Sequence, residues 1–154
     1  MPFSRKNDSA YKRSNAICRI DFQCTRSIKK ITLNLLKAEE ADIRESIGQL
    51  LLDKLSKLYK ISPPVLRVLD APQKHSKKDG KLTRKIFGTY KSGNIEITNR
   101  TAIRKKMVAS KTFLDTLIHE FMHHFDFFVL KLTRSLHTSG FYSRLNEIKN
   151  GIIL

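Results

Sequence analysis

Residues 111–130 read Lys-Thr-Phe-Leu-Asp-Thr-Leu-Ile-His-Glu-Phe-Met-His-His-Phe-Asp-Phe-Phe-Val-Leu, and the reading of the whole chain turns on them. Phe113, Leu117, Phe121 and Phe125 recur at helical spacing, which predicts an amphipathic helix from Lys111 to Leu130. Thr112 followed by Asp115 gives a capping-box-like start. On such a helix His119 and His123 project from one face, a turn apart. That spacing lets two imidazoles hold one zinc ion. Glu120, beside the first, can reach an attacking water as general base without being a ligand.

A catalytic zinc needs a third protein ligand and an open position. His137, 14 residues after His123, is the leading candidate, because the chain can fold back beyond the helix. Glu147, on a helix predicted over Gly140–Lys149 and stopped by Gly151, is the alternative. His124 points about 100° away from His123 and cannot easily share the metal. Asp126 reads as an acceptor that orients a ligand imidazole.

Outward from the motif, Ile43, Ile47, Leu50, Leu51, Leu55 and Leu58 mark a second helix from Glu39 to Lys60, stopped by Ser62-Pro63-Pro64. Val65–Leu69, Arg84–Tyr90 and Asn94–Thr98 read as three strands of a small antiparallel sheet, the last two joined by a tight turn at Lys91-Ser92-Gly93-Asn94. The basic link Asp70–Thr83 reads as flexible, and Ala16–Lys37, with apolar residues alternating at Ile31, Leu33 and Leu35, as one or two strands. The expected architecture is α+β: a basic, flexible tail over residues 1–15, then one domain over 16–154.

Charge is uneven. Residues 71–111 hold twelve Lys/Arg against two acids, while 112–154 hold four of each. The excess of +16 predicts a positive face and a possible partner in DNA or RNA. With no secretory-type apolar run and no stretch long enough to span a bilayer, the expected setting is cytoplasmic, with no membrane partner. Cys18 and Cys24, without a second pair, do not make a zinc ribbon and read as reduced thiols.

His119-Glu120-Phe121-Met122-His123-His124-Phe125-Asp126, followed by His137-Thr138-Ser139-Gly140-Phe141-Tyr142-Ser143-Arg144-Leu145, resembles the SprT-like and related zincin metallopeptidases. Phe87-Gly88-Thr89-Tyr90 and Gly93-Asn94-Ile95-Glu96-Ile97 resemble the hairpin before their active-site helix. The resemblance covers roughly residues 65–149. It implies a zincin-like fold, with His119, His123 and His137 as zinc ligands and Glu120 as catalytic base. Phe141 and Tyr142 fall where the family has packing aromatics; the Tyr142 hydroxyl as an oxyanion donor is the alternative. The implied activity is hydrolysis of a peptide bond in an extended substrate lying along Phe87–Tyr90 or Asn94–Thr98. The charge supports a different reading, a basic nucleic-acid-associated protein whose zinc is structural or vestigial.

Overall fold

The computed structural model describes residues 9–153. In chain order they form α1 (Ser9–Ala16), α2 (Arg26–Lys37), α3 (Ala41–Leu58), β1 (Val65–Pro72), β2 (Lys74–Lys78), β3 (Lys81–Ile86), β4 (Gly88–Lys91), β5 (Asn94–Arg100), α4 (Ser110–Phe128) and α5 (Ser139–Ile153). The expected α+β class is present. Among the described residues no helix is long and apolar enough to cross a membrane.

β5 lies between β1 and β4 in a three-stranded sheet. β4 and β5 make the expected hairpin, Lys91 opposite Asn94, with Ser92 and Gly93 at φ 48° and 81°. Two successive positive φ values are the mark of a primed turn, whose twist matches that of the strands it joins. β1, however, runs parallel to β5, Val65 facing Asn94 and Leu69 facing Thr98. The sheet is therefore mixed rather than wholly antiparallel. The cause lies in the link at 70–83, where a flexible segment was expected. That stretch supplies β2 and the start of β3, which pair with each other in a separate antiparallel ribbon. The chain returns from the ribbon as β4, and β5 inserts between β4 and β1.

Two further expectations change. Ala16–Lys37 contains no strand: Thr25 caps α2 by accepting the Ile28 N–H at 3.1 Å, and Ile28, Thr32 and Leu35 bury a helical stripe. The i, i+2 alternation of Ile31, Leu33 and Leu35 is incidental, and Leu33 faces water. Of the stretch expected as a tail, residues 9–15 lie in α1, which packs on α5, and Ser14 is fully buried. Residues 1–8 lie outside the described residues.

α3 forms where expected but is rotated. Leu51, Leu52 and Leu55 are buried, whereas Ile43, Leu50 and Leu58 are exposed. The buried face includes Arg44, whose guanidinium donates to Ala38 O, Asn99 Oδ1 and Ser110 Oγ and lies over the Phe113 ring. Hydrogen bonds make that burial affordable, and an apolar periodicity cannot register it. α4 starts at Ser110 after Ala109, with no side-chain cap, so Thr112 is not the capping residue. α5 runs through Gly151 instead of stopping there. A Cβ at Gly151 would sit 2.7 Å from Phe22 Cδ1, so this glycine serves a close approach between segments.

The core is a single cluster in which α3 covers β1 and α4 covers β4 and β5. Phe113, Leu117, Phe121 and Phe125 are all buried in it. This fixes the rotation of α4 and turns its His119–His123 face outward, beside β4.

Candidate metal centre

Packing on one side of α4 leaves His119 and His123 partly exposed on the other, with Glu120 between them at 7% exposure. After the helix the chain reverses. The Val129 and Leu130 N–H groups donate to Phe125 O, Lys131 takes a left-handed φ of 55°, and the Leu132 N–H donates to Asp126 O. The turn carries His137 back over the helix.

The three histidines then form a near-equilateral set. His137 Nε2 lies 3.1 Å from both His119 Nε2 and His123 Nε2, and the ring centroids are 5.1, 4.9 and 5.0 Å apart. One imidazole proton cannot serve two such contacts, so the geometry is that of converging lone pairs. The three residues offer nitrogens close enough to bind one metal ion. Phe141, fully buried at the start of α5, lies under all three rings with centroids 5.2, 4.8 and 5.1 Å away. Its packing role thus extends beyond the third histidine.

Hydrogen bonds fix one tautomer. Ser135 Oγ donates its only proton to Asp126 Oδ2 at 2.7 Å, so at 2.7 Å it accepts from His123 Nδ1–H. The Nε2 lone pair of His123 is therefore left pointing at its two partners. Asp126 is fully buried and meets Arg144 Nη2 at 3.0 and 2.9 Å. It orients His123 as expected, but through Ser135. Burial pushes its carboxyl up from the ordinary range, against the pull of Ser135 and Arg144.

Burial, above all, keeps the His119 and His123 imidazoles neutral. Burial, then the neighbouring histidine and Lys149, lowers His119 to about 4; burial, then the other two histidines, lowers His123 to about 3. Neutral imidazole is the form that binds metal. Burial alone raises the Glu120 carboxyl to about 7.

Two of the candidates lie elsewhere. Glu147 accepts the backbone N–H groups of Ile20 and Phe22 at 2.9 and 2.5 Å, tying residues 20–22 to α5, and does not join the histidine set. His124 sits between the Tyr90 hydroxyl and Ser62 O at 2.9 and 2.7 Å, pinning the helix to β4 and to the end of the α3–β1 loop. Ser135 and Arg144 were not singled out from the sequence, because nothing in their spacing marks them as parts of a metal site.

The set opens into a cleft of about 940 Å³ whose walls include Phe87, Gly88 and Tyr90 from the β4 region, Phe127 and Tyr142. β4 comes close because residue 88 lacks a side chain: a Cβ there would lie 2.8 Å from Thr116 Cγ2. Tyr142 is 44% exposed, its ring 5.9 Å from that of His137. β4 is the sheet's outer strand on this side, whereas Asn94–Thr98 lies in the central strand.

No family model, no curated protein and no solved structure matches this chain.

Proposed function

We propose that the chain is a zinc-dependent peptidase of the SprT-like or a related zincin type. The observation that carries this reading is the triangle of histidine nitrogens with a buried carboxyl beside it, open to a cleft edged by a strand. Three nitrogens on a tetrahedral zinc stand roughly 3.3 Å apart, close to the 3.1 Å found for two of the pairs. Structural zinc is closed by four protein donors, whereas three leave a position for chemistry. Among the described residues the cluster offers three.

Zinc held there would polarise a substrate carbonyl and acidify water. The chain's own part is binding and proton transfer. An extended peptide adds to the free edge of β4 by main-chain hydrogen bonds, which brings a carbonyl over the histidine face. Glu120 takes a proton from the attacking water and returns it to the leaving amine. The low exposure of Glu120 keeps competing water from that carboxyl. Free thiols at Cys18 and Cys24 support a cytoplasmic setting.

The test is Glu120→Gln. The variant keeps stoichiometric zinc and loses cleavage of a peptide library; undiminished cleavage would refute the assignment.

One observation favours the second reading, a nucleic-acid-associated protein whose zinc site is structural or vestigial. The β2–β3 ribbon stands outside the main sheet and exposes Lys74, Lys77, Lys78, Lys81 and Lys85, with Asp79 its one acid. A two-stranded ribbon fits a DNA major groove. Affinity for duplex DNA and for RNA measured against salt would then fall steeply on a log–log plot; a flat slope removes this reading.

A further inference from the structure

Arg144 is fully buried on α5, and its guanidinium links two distant parts of the chain. Nη1 donates to Ser14 O and Ile17 O at 2.7 and 2.6 Å. Nη2 donates to Ser14 Oγ at 3.2 Å and to both oxygens of Asp126. From Asp126 the chain of hydrogen bonds continues through Ser135 to His123 Nδ1.

A second route starts from the same serine. Ser14 Oγ meets Thr138 Oγ1 at 2.9 Å, and Thr138 follows His137. Thr138 Oγ1 also accepts the N–H of Phe141, whose ring underlies all three histidines. Asn15 Oδ1 accepts the Gly140 N–H at 3.3 Å, and a Cβ on Gly140 would collide with Ser14 O. Residues Ser14–Ile17 therefore touch both arms of the site, one leading to His123 and one to His137 and its aromatic support.

A buried Arg–Asp pair is a poor source of stability, since desolvation offsets most of its attraction and well-packed apolar side chains often do as well. What the pair supplies that apolar packing cannot is a fixed orientation for Ser135, and so a fixed tautomer for His123. We propose that Ser14 and Arg144 are positioning residues of the metal centre, so that seating of the N-terminal segment sets how tightly the three histidines hold a metal ion. The proposal concerns metal binding and holds whichever reaction the centre performs.

The experiment measures zinc affinity of the full chain by competition with a chromophoric chelator, with melting of the metal-free protein followed in parallel. Ser135→Ala and Ser14→Ala both leave the three ligands and the Arg144–Asp126 pair in place. Ser135→Ala is expected to weaken zinc about 10- to 100-fold, the usual effect of losing a hydrogen bond behind a ligand, and Ser14→Ala, which acts through Arg144 and Thr138, by less but by more than about twofold. Both are expected to shift the visible bands of the cobalt-substituted protein, and Ser135→Thr, which keeps the hydroxyl, to restore them. Arg144→Gln is the stronger perturbation; should it fail to fold, the serine variants decide. Zinc affinity within twofold of wild type in Ser14→Ala overturns the proposal, whether or not Ser135→Ala weakens binding. A lowered melting temperature of the metal-free protein with unchanged zinc affinity and cobalt spectrum would make the segment merely structural.

Discussion

Replacing Glu120 by glutamine should stabilise the metal-free protein, and by an amount that depends on pH. Burial raises the carboxyl to about 7 from an ordinary 4.5. Each tenfold change in proton affinity is worth about 1.36 kcal/mol, so ionising this side chain in the fold costs roughly 3 kcal/mol more than in the unfolded chain. Because the folded pKa is the higher one, the favourable contribution of the protonated carboxyl is complete below pH 4.5. It is lost as pH rises through about 7. Glutamine has nearly the same shape and no charge to lose. The stability advantage of Glu120→Gln over wild type should therefore grow by about 3 kcal/mol between pH 4.5 and pH 8, or roughly 6–12 °C in melting temperature for a domain of this size. The assay is urea unfolding of both proteins in chelator at several pH values. His119 and His123 titrate in both proteins and largely cancel in the difference. A difference that stays flat across this window would mean that the carboxyl is solvated, and would refute the burial argument on which its role as base rests.

His137→Ala should abolish tight zinc binding while Glu147→Ala leaves it intact; the latter should instead cost about 1–3 kcal/mol, because the Ile20 and Phe22 N–H groups lose their acceptor. Metal analysis and urea unfolding separate the two. In the metal-free Glu120→Gln background, stability should fall as pH drops below 6.5, since His119 and His123 are held neutral in the fold, at about 4 and about 3, but protonate when unfolded. The loss should reach roughly 2 kcal/mol per histidine at pH 5, and His119→Phe should remove about half of it. Phe141→Ala should cost about 3–5 kcal/mol as a buried aromatic truncation, and weaken zinc as well, because the ring underlies all three histidines.

The parts legible in the sequence are those governed by short-range chemistry. Helix α4 shows in its four-residue apolar period, and the β4–β5 hairpin in Ser92-Gly93. The pairing of His119 with His123 follows from helix geometry, whereas that of His137 with both was suggested by its place just beyond the helix and reinforced by family resemblance. What stayed hidden depends on distant partners. Parallel pairing of β1 with β5 is set by where the intervening ribbon returns the chain. The inward face of α3 is set by hydrogen bonds that let Arg44 be buried. Among its described side chains the β2–β3 ribbon shows no buried apolar face, so it offers no period to read. Ser135 and Arg144 acquire their roles only once Asp126 is seen between them.

The hydrogen bonds between Ser14 and Arg144 join residues 130 positions apart. Closing so long a loop is entropically unfavourable, and non-local contacts of this kind slow folding. Synthesis separates the partners further, because Ser14 leaves the ribosome 130 residues before Arg144. A nascent chain in which His119 and His123 have already emerged still lacks His137, the Phe141 ring and the N-terminal contact. Under the positioning proposal, a partial centre of this kind binds metal weakly, so that full metal affinity coincides with completion of the fold.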